Sequence, residues 1–186
     1  MFGRTDKYGM QPFYRIGLRN SLPSWADIQQ RLPQSQTRLM VITDLCPIPL
    51  IRSELAALGF KLGELKLWQW RFDQPLNIHT DGQRQAAINW SLLPHSQLDF
   101  FDRSQGEPLT VSTNEHVWAT HWQYPKGEPQ PLAEWQNYGP ALINPQQPHR
   151  PRALRNGVVR VTVTLELLHK YETAYQLLAS AGRIRA

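Results

Sequence analysis

The residues best suited to chemistry sit in the stretch PLNIHTDGQRQAAINW, residues 75–90, where His79 and Asp81 stand two apart. In an extended segment such residues point to the same face. An imidazole and a carboxylate side by side are the donors of a shared metal ion, or else a hydrogen-bonded pair at a turn. The pair alone does not choose between these. Just after it, Arg84 is either a solvated turn charge or a residue that faces the same site. Asn89 interrupts an otherwise apolar run, and a buried asparagine needs hydrogen-bond partners.

A metal held by two imidazoles and one carboxylate on one face of an octahedron keeps three positions free for a cosubstrate and oxygen, the arrangement of oxygen-activating iron(II) sites. The second imidazole must then come from elsewhere in the chain, and His95, His116, His121, His149 and His169 are the candidates. A keto-acid cosubstrate such as 2-oxoglutarate chelates the metal at one end and leaves a second carboxylate to be held inside the protein. That buried carboxylate requires a cation, best an arginine fork. Arg160 follows His149 in the strand-like run GVVRVTVTLEL, where Arg160, Thr162 and Thr164 share one face and Val159, Val161 and Val163 the other. His116 has Lys126 at a similar spacing, but in the turn-rich YPKGEPQP, and the other three have no basic residue there. The spacing favours His149. Its plainer reading is an exposed loop residue, and that of Arg160 is a partner for Glu166 or another surface acid. His116 and His121, close to Trp118 and Trp122, read as structural or rim residues.

The ordered set of HTD at His79 to Asp81, a distal histidine in LINPQQPHRP, and RVT at Arg160 to Thr162 resembles the iron(II) and 2-oxoglutarate-dependent oxygenases. The resemblance runs over residues 65–167 and includes the spacing of Gly139, Asn144 and His149. It implies a double-stranded β-helix, the cupin-like jelly-roll barrel. It also implies His79, Asp81 and His149 as catalytic Fe(II) ligands, Arg160 and Thr162 as the grip on 2-oxoglutarate, and Asn89 facing the cosubstrate or substrate. The implied reaction consumes O2 and 2-oxoglutarate, releases succinate and CO2, and hydroxylates an unidentified amino acid, peptide side chain or small metabolite. Two readings from other classes stand beside it: a non-catalytic cupin-like barrel that binds a metal or ligand, and a nucleic-acid-binding module built on arginines and tryptophans.

The elements that must position these residues point to a mainly β chain with flanking helices. SLPSWADIQQRL carries Ser24 as a cap and Asp27 three residues on, which starts a short helix. A strand follows in TRLMVITDL. PLIRSELAALGF is a helix with Leu50, Ile51, Leu55 and Leu58 on its apolar face and Gly59 at its stop. ELKLWQWRFD alternates with period two, so it is a strand, and a turn at Asp81-Gly82 leads to a strand in QAAINWSLL. The middle of the chain reads as hairpins and a long loop. PALIN is a strand, a proline-rich corner follows with His149 just before the turn RALRNG, and GVVRVTVTLEL and a last helix from Glu172 complete the chain. These elements make one domain over 1–186: a helix-containing part over 1–60, a barrel over 61–168 and a helix over 171–181.

A chain of 186 residues that is 41% hydrophobic suffices for one real core, and its 15 prolines favour short elements over long helices. The lone Cys46 excludes an internal disulfide framework and a thiolate zinc site, which makes a reducing cytoplasm the expected location. No window is long and apolar enough for a membrane span, and MFGRTDKYGM has no signal-peptide core. The net charge of +5 comes from scattered bases. It therefore reads as a basic surface more than a nucleic-acid footprint, with a basic rim at Arg150, Arg152 and Arg155 suggesting an anionic or peptide substrate. The tryptophans read as core and rim packing, not as stacking platforms.

Overall fold

The computed structural model describes residues 9–31, 39–41, 48–71, 76–94, 96–114, 117–136, 139–155 and 159–185. His95 and His116 lie outside the described residues, as do the rest of the strand expected after Val41 and residues 156–157 of the RALRNG turn. In chain order the elements are β1 (Phe13–Ile16), α1 (Trp25–Arg31), β2 (Leu39–Val41), α2 (Ile48–Ala57), β3 (Leu62–Arg71), β4 (His79–Asp81), β5 (Ala86–Ser91) and β6 (Ser96–Phe100). There follow β7 (Glu107–Asn114), β8 (Val117–Gln123), β9 (Ala133–Gln136), β10 (Ala141–Ile143), β11 (His149–Ala153), β12 (Val159–Leu167), α3 (Tyr171–Ser180) and β13 (Ile184–Arg185). None of the described helices is long and apolar enough to cross a membrane.

Two antiparallel sheets carry the fold, so the chain is mainly β with few helices. The larger has the order β13-β1-β10-β5-β12-β3-β2 and the smaller β7-β8-β4-β11-β6-β9. Neither sheet closes on itself. Each connection from β3 to β6, and again from β9 to β12, carries the chain from one sheet to the other. His79 and Asp81 on β4 and His149 on β11 thus belong to the smaller sheet, while Asn89 on β5 and Arg160 on β12 belong to the larger.

The alternation of β12 decides what each face of the larger sheet does. Val161, Val163 and Leu165 are fully buried against a core that includes Ile28 of α1, Ile51 and Leu55 of α2, and Ala174 and Leu178 of α3. Burying each such aliphatic side chain is worth about 1.5–3 kcal/mol. On the opposite face, Thr162 pairs in register with Ser91 and Trp68, and Thr164 with Asn89 and Lys66. This polar face turns toward the smaller sheet. Phe13 of the larger sheet stacks on Phe100 of the smaller, ring centroids 5.7 Å apart, within a second core of Leu98, Phe100, Trp135, Ala141 and Ile143.

The helix signals are met in detail. Ser24 Oγ accepts from the Asp27 amide at 3.3 Å, and the Asp27 carboxylate accepts in return from the Ser24 amide, the reciprocal capping box. Gly59, at φ +91°, ends α2 with its amide bonded to Ala56 O and the Phe60 amide to Leu55 O, a pattern that needs a left-handed residue. The buried side of α2 differs from the expected one: Ile48, Ile51 and Leu55 face the core, while Leu50 is exposed. An i, i+3, i+7 stripe starting at Ile48 excludes its neighbour at 50.

The proline-rich corner is a larger correction. His149 lies on β11, not in a loop, and β11 pairs along its whole length with β6. Pro151 is tolerated because β4 meets β11 only at His149, so beyond that point the other side of β11 has no partner strand among the described residues to receive an N–H. The unforeseen β13 pairs with β1.

Candidate metal centre

Three short segments build the site. β4 puts His79 and Asp81 on one face of the smaller sheet, and β11 lays His149 directly opposite His79 in register. The two imidazole rings stand 4.6 Å apart between centroids. Nε2 of His79 and Nε2 of His149 each lie 3.9 Å from Oδ1 of Asp81, and the three donor atoms fall within 4.8 Å of one another. Among the described residues this is the group of histidine and acidic side chains that converges as a metal site does.

Hydrogen bonds at the back of each ring set its orientation. His79 Nδ1 donates to Asn77 O and His149 Nδ1 donates to Gln147 O, both at 2.9 Å. A carbonyl only accepts, so Nδ1 of each ring carries a proton and Nε2 is the atom turned toward Asp81. The two Nε2 atoms and Asp81 Oδ1 face one another at a distance too long for a hydrogen bond. Backbone-anchored imidazoles of this kind are the usual support of metal ligands. Two donors at right angles around an ion bound at about 2.1 Å are about 3 Å apart, so separations of 3.9 Å and up to 4.8 Å ask for closing movements of about one to two ångströms.

The protonation states agree with this. Burial drives the His149 pKa down to about 4, helped by the neighbouring His79 and opposed by Asp81. The ring is therefore neutral near pH 7 and ready to ligate. For Asp81, burial pushes the carboxyl upward, but Arg84 and the two imidazoles outweigh it and hold the group below its ordinary value.

Arg84 is not a solvated turn charge. Its Nη1 donates to Asp81 Oδ2 at 2.8 Å, which occupies one carboxylate oxygen and leaves Oδ1 facing the histidines. The turn that brings Arg84 back onto Asp81 is stitched to the turn before β11. Gln146 donates its side-chain amide to the carbonyls of Asp81 and of Arg84, and the Asp81 amide donates to Pro145 O. Asn144 supports this in turn by accepting from the Gln146 amide at 3.0 Å. Gln146 carried no signal in the sequence, because what it binds is backbone from a distant segment.

Across the space between the sheets, Arg160, Thr162 and Asn89 occupy the inner face of the larger sheet, as the alternation requires. Arg160 is buried, and among the described residues no carboxylate pairs with it, Glu166 included. Desolvation alone lowers its pKa to about 10, which leaves it charged. Its Nε, Thr162 Oγ1 and Asn89 Oδ1 are buried without hydrogen-bond partners. Its charge reaches His149, whose pKa it helps to depress.

The remaining candidates go elsewhere. His121 faces His79 across β8 on the same side of the sheet, beside the converging donors but not among them. His169 accepts from the Lys61 amide at 2.8 Å and packs edge-on against Phe60. The basic rim is largely neutralised: Arg150 pairs with Glu128 at 2.5 Å, and Arg152 pairs with the buried Asp99 at 2.8 Å and with Glu134. Of that trio, Arg155 is the one for which no ion pair is seen among the described residues. In comparisons with known proteins, the sequence matches no protein-family model and no curated protein.

Proposed function

We propose that this protein is an Fe(II)- and 2-oxoglutarate-dependent dioxygenase that hydroxylates a small-molecule or peptide substrate. The observation that carries the reading is a juxtaposition: a two-histidine, one-carboxylate donor set on one sheet faces a buried guanidinium on the other, with which no carboxylate pairs among the described residues. A buried charge without a counter-ion is costly, and a dicarboxylate bridging metal and arginine removes that cost. The strand orders of the two sheets, with the chain alternating between them, support the jelly-roll reading of the fold.

In this reading His79, Asp81 and His149 hold the iron through Nε2, Oδ1 and Nε2. Bound there, the iron supplies the redox chemistry that couples oxidative decarboxylation of 2-oxoglutarate to insertion of one oxygen atom of O2 into a substrate C–H bond. The chain's own residues do the positioning. Arg160 pairs with the far carboxylate of 2-oxoglutarate, Thr162 Oγ1 donates to it, and Asn89 receives or donates the remaining hydrogen bond. The apolar wall of Phe13, Phe100 and Ile143 limits the water that reaches the space between the sheets.

The test is turnover of 2-oxoglutarate. Purified protein with Fe(II), ascorbate and O2 should convert 2-oxoglutarate to succinate slowly even without substrate, and His79→Ala and Arg160→Gln should abolish this. Metal binding with no succinate under any condition tried would instead assign the chain to the non-catalytic, ligand-binding class.

A further inference from the structure

We infer that Arg84 keeps the metal site electrically balanced before an ion arrives, so that a divalent cation and an anionic co-ligand load together and not independently. The inference rests on the metal-site reading above and concerns how that site is filled.

An unpaired aspartate beside two imidazoles would attract a divalent cation by its own charge. Here that charge is already matched, because Arg84 Nη1 sits 2.8 Å from Oδ2. The pairing is not a loose surface contact. Side-chain exposure is 19% for Arg84 and 21% for Asp81, and Arg84 Nε is buried without a partner. The turn that sets the contact is fixed by Gln146 and by the Asp81 amide bond to Pro145. An ion entering at Oδ1 therefore meets a guanidinium held on the same carboxylate, where repulsion is only partly screened.

Once an ion is in place, Asp81 and Arg84 still cancel each other. The charge of the ion and that of Arg160 stand uncompensated between the two sheets. A dicarboxylate that chelates the ion at one end and meets Arg160 at the other removes this excess. Cation and anion then raise each other's affinity by the same factor, as linkage requires. Chelation contributes to that coupling in any such site. Arg84 adds to it by weakening the ion alone more than the ion with its anion.

The experiment is anaerobic calorimetric titration of Co(II), with and without saturating 2-oxoglutarate, in wild type, Arg84→Gln and Arg84→Lys, with thermal melts to establish folding. Wild type should bind Co(II) weakly alone and much more tightly with 2-oxoglutarate. Arg84→Gln should bind Co(II) alone about tenfold more tightly than wild type, by relief of charge repulsion, and the gain from 2-oxoglutarate should shrink. Arg84→Lys, which keeps the charge, should behave as wild type. A folded Arg84→Gln that binds Co(II) alone no tighter than wild type overturns the inference while leaving the metal site standing. So does Arg84→Lys gaining the affinity expected of Arg84→Gln, since charge would then not be the cause. Wild type that binds no Co(II) with or without 2-oxoglutarate removes the metal-site reading, and the inference with it.

Discussion

The two faces of β12 are made by the same strand and are opposite in character. On the outer face Val161, Val163 and Leu165 are buried against the helices, and their side chains carry no polar atom to satisfy. On the inner face Arg160 and Thr162 are almost as buried, yet Arg160 Nε and Thr162 Oγ1 have no partner. One face of the strand is apolar and packed, and the other carries buried polar atoms without partners. Similar burial thus goes with apolar packing on one side and with unsatisfied polar groups on the other.

Substitutions should divide along that line. On the inner face, Arg160→Gln should reduce 2-oxoglutarate affinity by a hundredfold or more, since a charge-assisted fork to a buried carboxylate is worth roughly 3–5 kcal/mol when one partner is removed. The same change should leave the melting temperature of the ligand-free protein unchanged or raised, because an unpaired buried charge is lost. Leu165→Ala, on the outer face, should do the reverse. Its cavity should cost about 2–5 kcal/mol, seen as a lower denaturant midpoint, with 2-oxoglutarate affinity kept by the folded fraction. Equal stability losses for the two substitutions would erase the distinction between the faces.

The acid limb of stability sharpens the contrast, because the buried histidine of the inner space contributes to it and the apolar side chains of the outer face do not. The His149 pKa is depressed in the folded state, to about 4 from 6.5. The unfolded chain therefore takes up its proton first, and stability is lost as pH falls through that window. The full effect is about 3 kcal/mol, with the lowered Asp81 carboxyl adding in the same direction at more acid pH. Urea midpoints measured from pH 7 to pH 4 should fall in wild type and fall less in His149→Phe. The smallest effect is expected at Asn89→Ala. Loss of one hydrogen bond to a bound ligand should weaken 2-oxoglutarate binding severalfold, about 1 kcal/mol, while Ile88→Ala, its neighbour on the other face, should act on stability instead.

How much of this the sequence revealed depended on whether the signal was local. Alternation identified ELKLWQWRFD as a strand and assigned the faces of β12 correctly, because side-chain direction in a strand follows from position alone. The caps of α1 and α2 were legible for the same reason. H-x-D was legible as a pair of donors on one face, and His149 as their partner. The strand that carries His149 was hidden from the local reading, which took Pro148 and Pro151 for a corner, and only the family resemblance in Gly139, Asn144 and His149 suggested a strand delivering the distal ligand. The roles of Arg84 and Gln146 were hidden too. Arg84 lies three residues from Asp81, but its spacing alone left a solvated charge equally open, and Gln146 binds the backbone of a segment more than sixty residues away. The ion pairs of the basic rim were hidden as well, because Glu128, Asp99 and Glu134 reach Arg150 and Arg152 from distant strands and loops.

The central claim is that His79, Asp81 and His149 hold a divalent iron which 2-oxoglutarate then chelates. The most direct measurement is an anaerobic titration of Fe(II) into purified protein with 2-oxoglutarate present, followed by visible absorption, in wild type and His79→Ala. The account predicts the charge-transfer band of the iron–keto-acid chelate in wild type and its absence in His79→Ala. No band in wild type, with the protein shown to be folded, would contradict it.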